Sequence, residues 1–195
     1  MRTCIFAFLP EDIRNYAAIK WADVANGPGV RVSLFVSGCT HRCPGCFNEE
    51  AQDFAYGRPF TRAEEDKVVL ALAPDHIKGL SLLGGEPFEP DNQRALLPLL
   101  RRVKAERPGK EVWCYSGYTL ETELWRDSRA RCECTDEMLS LIDVLVDGPF
   151  ISGQKDLNLR FRGSANQRIL NVPASIRAGA PVLWDGELTI RPITV

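Results

Sequence analysis

No stretch of this sequence approaches the roughly 20 consecutive apolar residues that a membrane-spanning helix needs. The apolar run at residues 4–9 (CIFAFL) is ended by Pro10, is too short for a secretory core and is followed by no small-residue cleavage site. A cytoplasmic protein without membrane contact is therefore expected. Charge of one sign is equally scarce: 24 Lys and Arg stand against 26 Asp and Glu, a formal net charge of -2. Such a balance supplies no bulk attraction to nucleic acid or to an anionic membrane, and neither is expected as a partner. Internal repeats and low-complexity linkers are also missing. Seven cysteines are present, but an odd number in a cytosolic chain argues against a disulfide framework and for reduced thiols used in metal binding or catalysis.

What remains is an ordinary globular composition, 45% hydrophobic and 26% charged over 195 residues, long enough to bury one core without covalent staples. One domain over residues 1–195 is expected. Strand and helix patterns alternate. Residues 31–36 (RVSLFV) read as a strand. A capping box from Thr61 to Glu64 opens a helix near 61–73 that carries Val68, Val69 and Leu72. Residues 79–83 read as a buried strand that stops at Gly84-Gly85. A helix capped by Asp91 follows with Leu96, Leu97, Leu100 and Val103, and Pro98 should kink it or shift its start. Residues 111–116 form a third strand, a short helix carries Met138, Leu139 and Ile142, and residues 143–146 form a fourth strand. This alternation predicts an α/β fold with a mainly parallel sheet, whose ligands gather at the carboxyl ends of the strands. Cys39, Gly84-Gly85-Glu86, Ser116-Gly117 and Asp147 all fall at those ends. The polar segment 126–137 reads as a surface insertion. The tail 171–195, with Pro173, Pro181 and Pro192, is unassigned beyond a possible contribution of edge strands.

Cys39, Cys43 and Cys46 place three thiols within eight residues of one loop. Three thiolates so close wrap a soft metal centre. A 4Fe-4S cubane held by three cysteines leaves one iron open to substrate. Structural zinc is the other reading, and it needs a fourth ligand from Cys114, Cys132 or Cys134. Spacing alone leaves both open.

The context is more specific. Residues 26–39, continuing through Cys43 and Cys46 to Asn48, resemble the opening of the radical S-adenosylmethionine activases of glycyl-radical enzymes. The form G-C-x-H-x-C-P-G-C-[FY]-N is matched from Gly38 to Asn48. Within that group the sequence looks most like the activases of anaerobic ribonucleoside-triphosphate reductase. Leu83-Gly84-Gly85-Glu86-Pro87, the strand end at 144–148 and residues 162–167 (RGSANQ) are similar as well. The resemblance covers about residues 24–170.

This resemblance implies a partial (β/α)6 barrel in which Cys39, Cys43 and Cys46 hold a 4Fe-4S cluster whose open iron binds S-adenosylmethionine. It also implies reductive cleavage to methionine and a 5′-deoxyadenosyl radical, which takes a hydrogen atom from a glycine of the partner reductase. A reduced flavodoxin or ferredoxin-like protein would supply the electron. Gly84 and Gly85 let the backbone approach the cofactor, and Glu86 would accept from its ammonium group. Gly45, Cys46 and Phe47 are expected around the adenine, and Ser116 and Asp147 near the cofactor's polar groups. Arg31 and Arg162 are expected to help dock the partner, the latter in a basic segment with Lys155, Arg160 and Arg168. His41 reads as a solvated loop residue and Cys114 as a buried thiol. An activase of formate C-acetyltransferase, a radical enzyme acting on a free metabolite and a structural zinc module are the alternatives.

Overall fold

The computed structural model describes residues 14–186. The apolar run at 4–9 with Cys4, and the end of the tail with Pro192, lie outside the described residues. Seven strands form one sheet in the order β3-β1-β2-β4-β5-β6-β7. They are β1 (Asn15–Asp23), β2 (Val30–Val36), β3 (Arg58–Pro59), β4 (Ile77–Gly84), β5 (Glu111–Tyr115), β6 (Val144–Asp147) and β7 (Arg168–Asn171). The central four, β2, β4, β5 and β6, run parallel, while β1, β3 and β7 pair antiparallel at the two edges. The helices are α1 (Arg62–Ala71), α2 (Pro90–Glu106), α3 (Thr135–Ser140) and α4 (Val172–Ala178). The fold is thus mixed α/β with a mostly parallel centre. Among the described residues no helix is long and apolar enough to cross a membrane.

Alternation along the strands divides the sheet into two unlike faces. Val32, Leu34, Val36, Leu80, Leu82, Val112 and Cys114 point to one side. There they join Val68 of α1, Leu96 and Leu100 of α2 and Met138 of α3 in the main core. Trp113, Val144, Val146 and Ile169 point to the other side, where Tyr115, Phe161 and Trp184 pack against them. Helices cover the first face; loops alone cover the second. This asymmetry leaves room for a cleft on the second face.

Several local expectations change in detail. Thr61 occupies the N-cap of α1, but its side chain makes no capping bond, and Glu64 instead pairs with Lys67 at 2.8 Å. Glu89, not Asp91, stands at the N-cap of α2, because Pro90 takes the first helical position, where its missing N–H costs nothing. The helix runs through Pro98 without a shifted start. The segment 126–137 is not a surface insertion. Ala130, Cys134 and Thr135 are buried, and Gln93 donates to the Ala130 carbonyl at 2.6 Å, tying the segment to α2. Part of the tail extends β7: Asn171 N donates to Val182 O and Trp184 N to Ile169 O, both at 2.9 Å.

Candidate functional site: a three-thiol loop over an open cleft

The parallel strands end beneath the cysteine loop. The loop leaves β2 at Ser37 and is held by main-chain bonds to the turn at 50–52: Gly38 N donates to Ala51 O at 2.8 Å and Cys39 N to Gln52 O at 3.1 Å. Glu89 of the β4–α2 connection and Asn92 in the first turn of α2 hold it from the other side. Glu89 accepts from Thr40 N at 2.8 Å and from Thr40 Oγ1 at 2.6 Å. Asn92 Nδ2 donates to Ser37 O at 3.0 Å and to Glu86 O at 2.8 Å. Neither Glu89 nor Asn92 is singled out by sequence reasoning. The available signal was a polar residue at the head of an apolar stripe, since Asn92 precedes Leu96 by one helical turn.

Cys39, Cys43 and Cys46 all line one cleft of about 450 Å³, together with Phe47, Gly84, Gly85, Glu86, Ser116 and Arg162. Gly84 has φ +108°, and a Cβ there would lie 2.7 Å from Phe35 Cα; a Cβ on Gly85 would lie 2.5 Å from Gly38 O. Glycine is therefore required at both positions by backbone packing, of Gly84 against β2 and of Gly85 against the loop, whatever ligand approaches. Phe47 is 61% exposed at the rim, its ring 5.3 Å from Phe150, with Lys155 Nζ 4.7 Å above it. Burial, with the charge of Glu86 adding to it, pushes the Cys39 thiol up to about 12, and burial pushes Cys43 up as well. Such thiols stay protonated near neutrality, so a metal must displace their protons on binding.

Of the sequence-predicted residues, Glu86 and Ser116 line the cleft but also bind one another inside the protein, while Asp147 and Gly45 lie off it. Glu86 is buried and its carboxylate is already in use: Oε1 accepts from Phe88 N at 2.8 Å and Ser116 Oγ at 2.9 Å, and Oε2 from Gly117 N at 2.7 Å. It clamps the end of β4 to the end of β5 while still lining the cleft. Ser116 is spent on the same clamp and on accepting from Tyr118 N at 3.0 Å. Asp147 is fully buried and does not line the cleft. It accepts from Leu120 N at 2.9 Å and from Arg168 Nε at 2.9 Å, fastening β7 to the sheet. Gly45, at φ +72°, turns the loop between Cys43 and Cys46 and likewise lies off the cleft.

Arg31 differs most from expectation, since it is fully buried rather than facing a partner. Its guanidinium lies 5.5 Å from the Trp113 ring and donates to Ser81 Oγ at 2.8 Å and to the Leu80 and Glu111 carbonyls at 2.9 Å each. Arg31→Met should leave those carbonyls without a donor and cost roughly 3 kcal/mol of stability. Urea unfolding checks this, and an unchanged midpoint would return Arg31 to the surface. Arg162 does reach the cleft rim, where Nη1 donates to Gln167 O at 2.9 Å.

His41 is not solvated. Its side chain is 10% exposed, its ring centre lies 4.3 Å from that of Tyr118, and Nε2 lies 3.3 Å from Glu86 Oε2. The loop curls so that the residue between two thiols faces the protein, a direction spacing cannot supply.

The donor set suits an iron–sulfur cubane, which takes thiolates on separate iron atoms. Among the described residues no three His, Cys, Asp or Glu side chains converge as a single-ion site requires. The remote fourth cysteine of the zinc reading is also out of place. Cys114 is buried in the main core, and Cys132 and Cys134 pack beside α2 and α3. Among the described residues no fourth thiol joins these three at the cleft, and residues 25–170 match the family described as "4Fe-4S single cluster domain".

The relatives narrow the class. The chain is 47% identical over 157 residues to a protein of Vibrio cholerae, covering 80% of this chain and 96% of the relative. It is 45% identical over 155 residues to one of Escherichia coli K12, covering 78% and 96%, and 38% identical over 157 residues to one of Enterobacteria phage T4, covering 80% and 92%. All three are named anaerobic ribonucleoside-triphosphate reductase-activating protein, and the chain belongs to that family.

Proposed function

We propose that the chain is a radical S-adenosylmethionine activase that installs a glycyl radical on anaerobic ribonucleoside-triphosphate reductase. The observation that carries this reading is the placement of Cys39, Cys43 and Cys46 on one cleft with no fourth thiol beside them among the described residues; three protein ligands on a cubane would leave one iron free for a substrate. The cluster, when bound, supplies the electron that splits S-adenosylmethionine into methionine and a 5′-deoxyadenosyl radical, which takes a hydrogen atom from a glycine Cα and leaves as 5′-deoxyadenosine.

The chain's own residues bind, orient and shield. Phe47, exposed beside Cys46, offers a flat apolar face to the adenine. The main chain of Gly84 and Gly85 forms the wall opposite the thiols, and Glu86 with Ser116 holds that wall rigid instead of touching the ligand. Arg162, at the rim, meets the incoming reductase. The open sheet acts as a partial barrel whose helix-free face admits a polypeptide loop, and the 195 residues work as one domain. A reduced flavodoxin or ferredoxin-like protein in the cytoplasm delivers the electron.

The test is release of 5′-deoxyadenosine. The protein is reconstituted anaerobically with iron and sulfide, reduced, and given S-adenosylmethionine and the reductase. Release with a glycyl electron-spin signal on the reductase is the expected result. A full cluster with neither product would refute the reading, and one equivalent of zinc without sulfide would give the loop a structural role.

A further inference from the structure

The loop-covered face of the sheet carries three buried side-chain polar atoms without a hydrogen-bond partner among the described residues, Ser33 Oγ, Trp113 Nε1 and the Tyr115 hydroxyl, and of these residues only Tyr115 lines the cleft. Tyr115, the last residue of β5, lines the cleft. Its hydroxyl is buried and has no hydrogen-bond partner among the described residues. The register places it in an apolar row: Phe35 lies opposite Leu83, and Leu82 lies opposite Cys114, so Leu83 flanks Tyr115. Phe161 packs against the same cluster from the loop above. The charges of Arg31 and Asp23 reach the phenol, but neither residue is a hydrogen-bond partner, and a buried hydroxyl left unpaired is costly unless something arrives to meet it. Burial also drives the phenol well above its ordinary value, so it remains a neutral donor at any physiological pH.

We infer that Tyr115 is a binding residue for the polypeptide substrate, donating its hydroxyl hydrogen to a main-chain carbonyl beside the glycine that is presented to the cleft. The inference rests on the activase reading. Glycine has no side chain by which to be gripped, so a site that positions one must hold its main chain. A single buried donor in an apolar row satisfies one carbonyl and leaves the small residue otherwise unobstructed. The exposed Lys20, whose Nζ lies 5.0 Å from the Phe35 ring, lines the same cleft.

Tyr115→Phe removes only the hydroxyl and tests this directly. In the cluster-loaded protein with S-adenosylmethionine present, the Kd for the purified reductase should rise about three- to tenfold, the worth of one hydrogen bond. Cofactor affinity, measured by itself, should stay within twofold. The cluster-free variant should melt about 2–4 °C higher than wild type, because an unpaired buried hydroxyl has been removed. Unchanged reductase binding overturns the inference, as does a loss of cofactor affinity, which would give the hydroxyl to S-adenosylmethionine. A melting temperature equal to or below wild type overturns it too, by showing the hydroxyl already satisfied. Because these readouts are binding and melting, they stand apart from 5′-deoxyadenosine release, whose failure would sink the activase reading itself.

Discussion

Cys43→Ala should leave a folded protein that holds little or no cluster and releases no 5′-deoxyadenosine, a loss of at least about a thousandfold in a reaction carried by the cofactor. Folding should survive because none of the three loop cysteines belongs to either hydrophobic cluster; each is half-buried on a loop that main-chain bonds and Glu89 hold in place. Iron and sulfide analysis, the visible absorption of the reconstituted protein and a circular dichroism melt give the three readouts together. Cys39→Ala and Cys46→Ala should behave alike, whereas Cys132→Ser should keep its iron, since Cys132 lies against Pro90 and Thr135 away from the cleft. Full activity in Cys43→Ala would remove the cluster assignment. Loss of iron from Cys132→Ser would show a metal ligand that the fold places elsewhere.

Glu86→Ala carries the second large effect, and its sign separates two roles. A carboxylate that only met a cofactor ammonium would, when removed, weaken S-adenosylmethionine binding and leave the empty protein as stable as before. In the structure it satisfies Phe88 N, Ser116 Oγ and Gly117 N inside the protein. Each buried donor left unpaired costs about 1–3 kcal/mol, so the cluster-free variant should melt roughly 10 °C lower. Glu86→Gln should recover part of this, because an amide keeps one accepting oxygen but turns an unwanted donor toward the others. Thermal melts of the cluster-free proteins decide the matter: a wild-type melt with reduced cofactor affinity would restore the ammonium role.

The legible part of the site was the part written in consecutive residues. Three cysteines within eight positions must share a loop, and paired glycines after an apolar run must end a strand. The central strands and α1 to α3 were legible for the same reason, since periodicity of two or 3.6 is a local property. β1 was missed because residues 15–23 alternate poorly: only Tyr16 and Asp23 of its nine residues are buried. β7 is four residues long and takes its place through Asp147 and Arg168, which are 21 positions apart.

The sequence by itself determined that three thiols share one loop, the order of the main elements and the end of the sheet at which they meet. Only the tertiary structure decided which polar residues face the cleft. Arg31, Glu86 and Asp147 carry charges that suggest solvent or ligand, yet each is buried and bonded to at least one partner 21 to 80 positions away. A charged side chain enters the interior only where enough donors or acceptors surround it, and that number is set by the packing of distant segments, not by the residue or its neighbours in the chain. Tyr115 is the converse case: an ordinary strand residue in sequence, whose hydroxyl the fold leaves unmatched at the floor of the cleft.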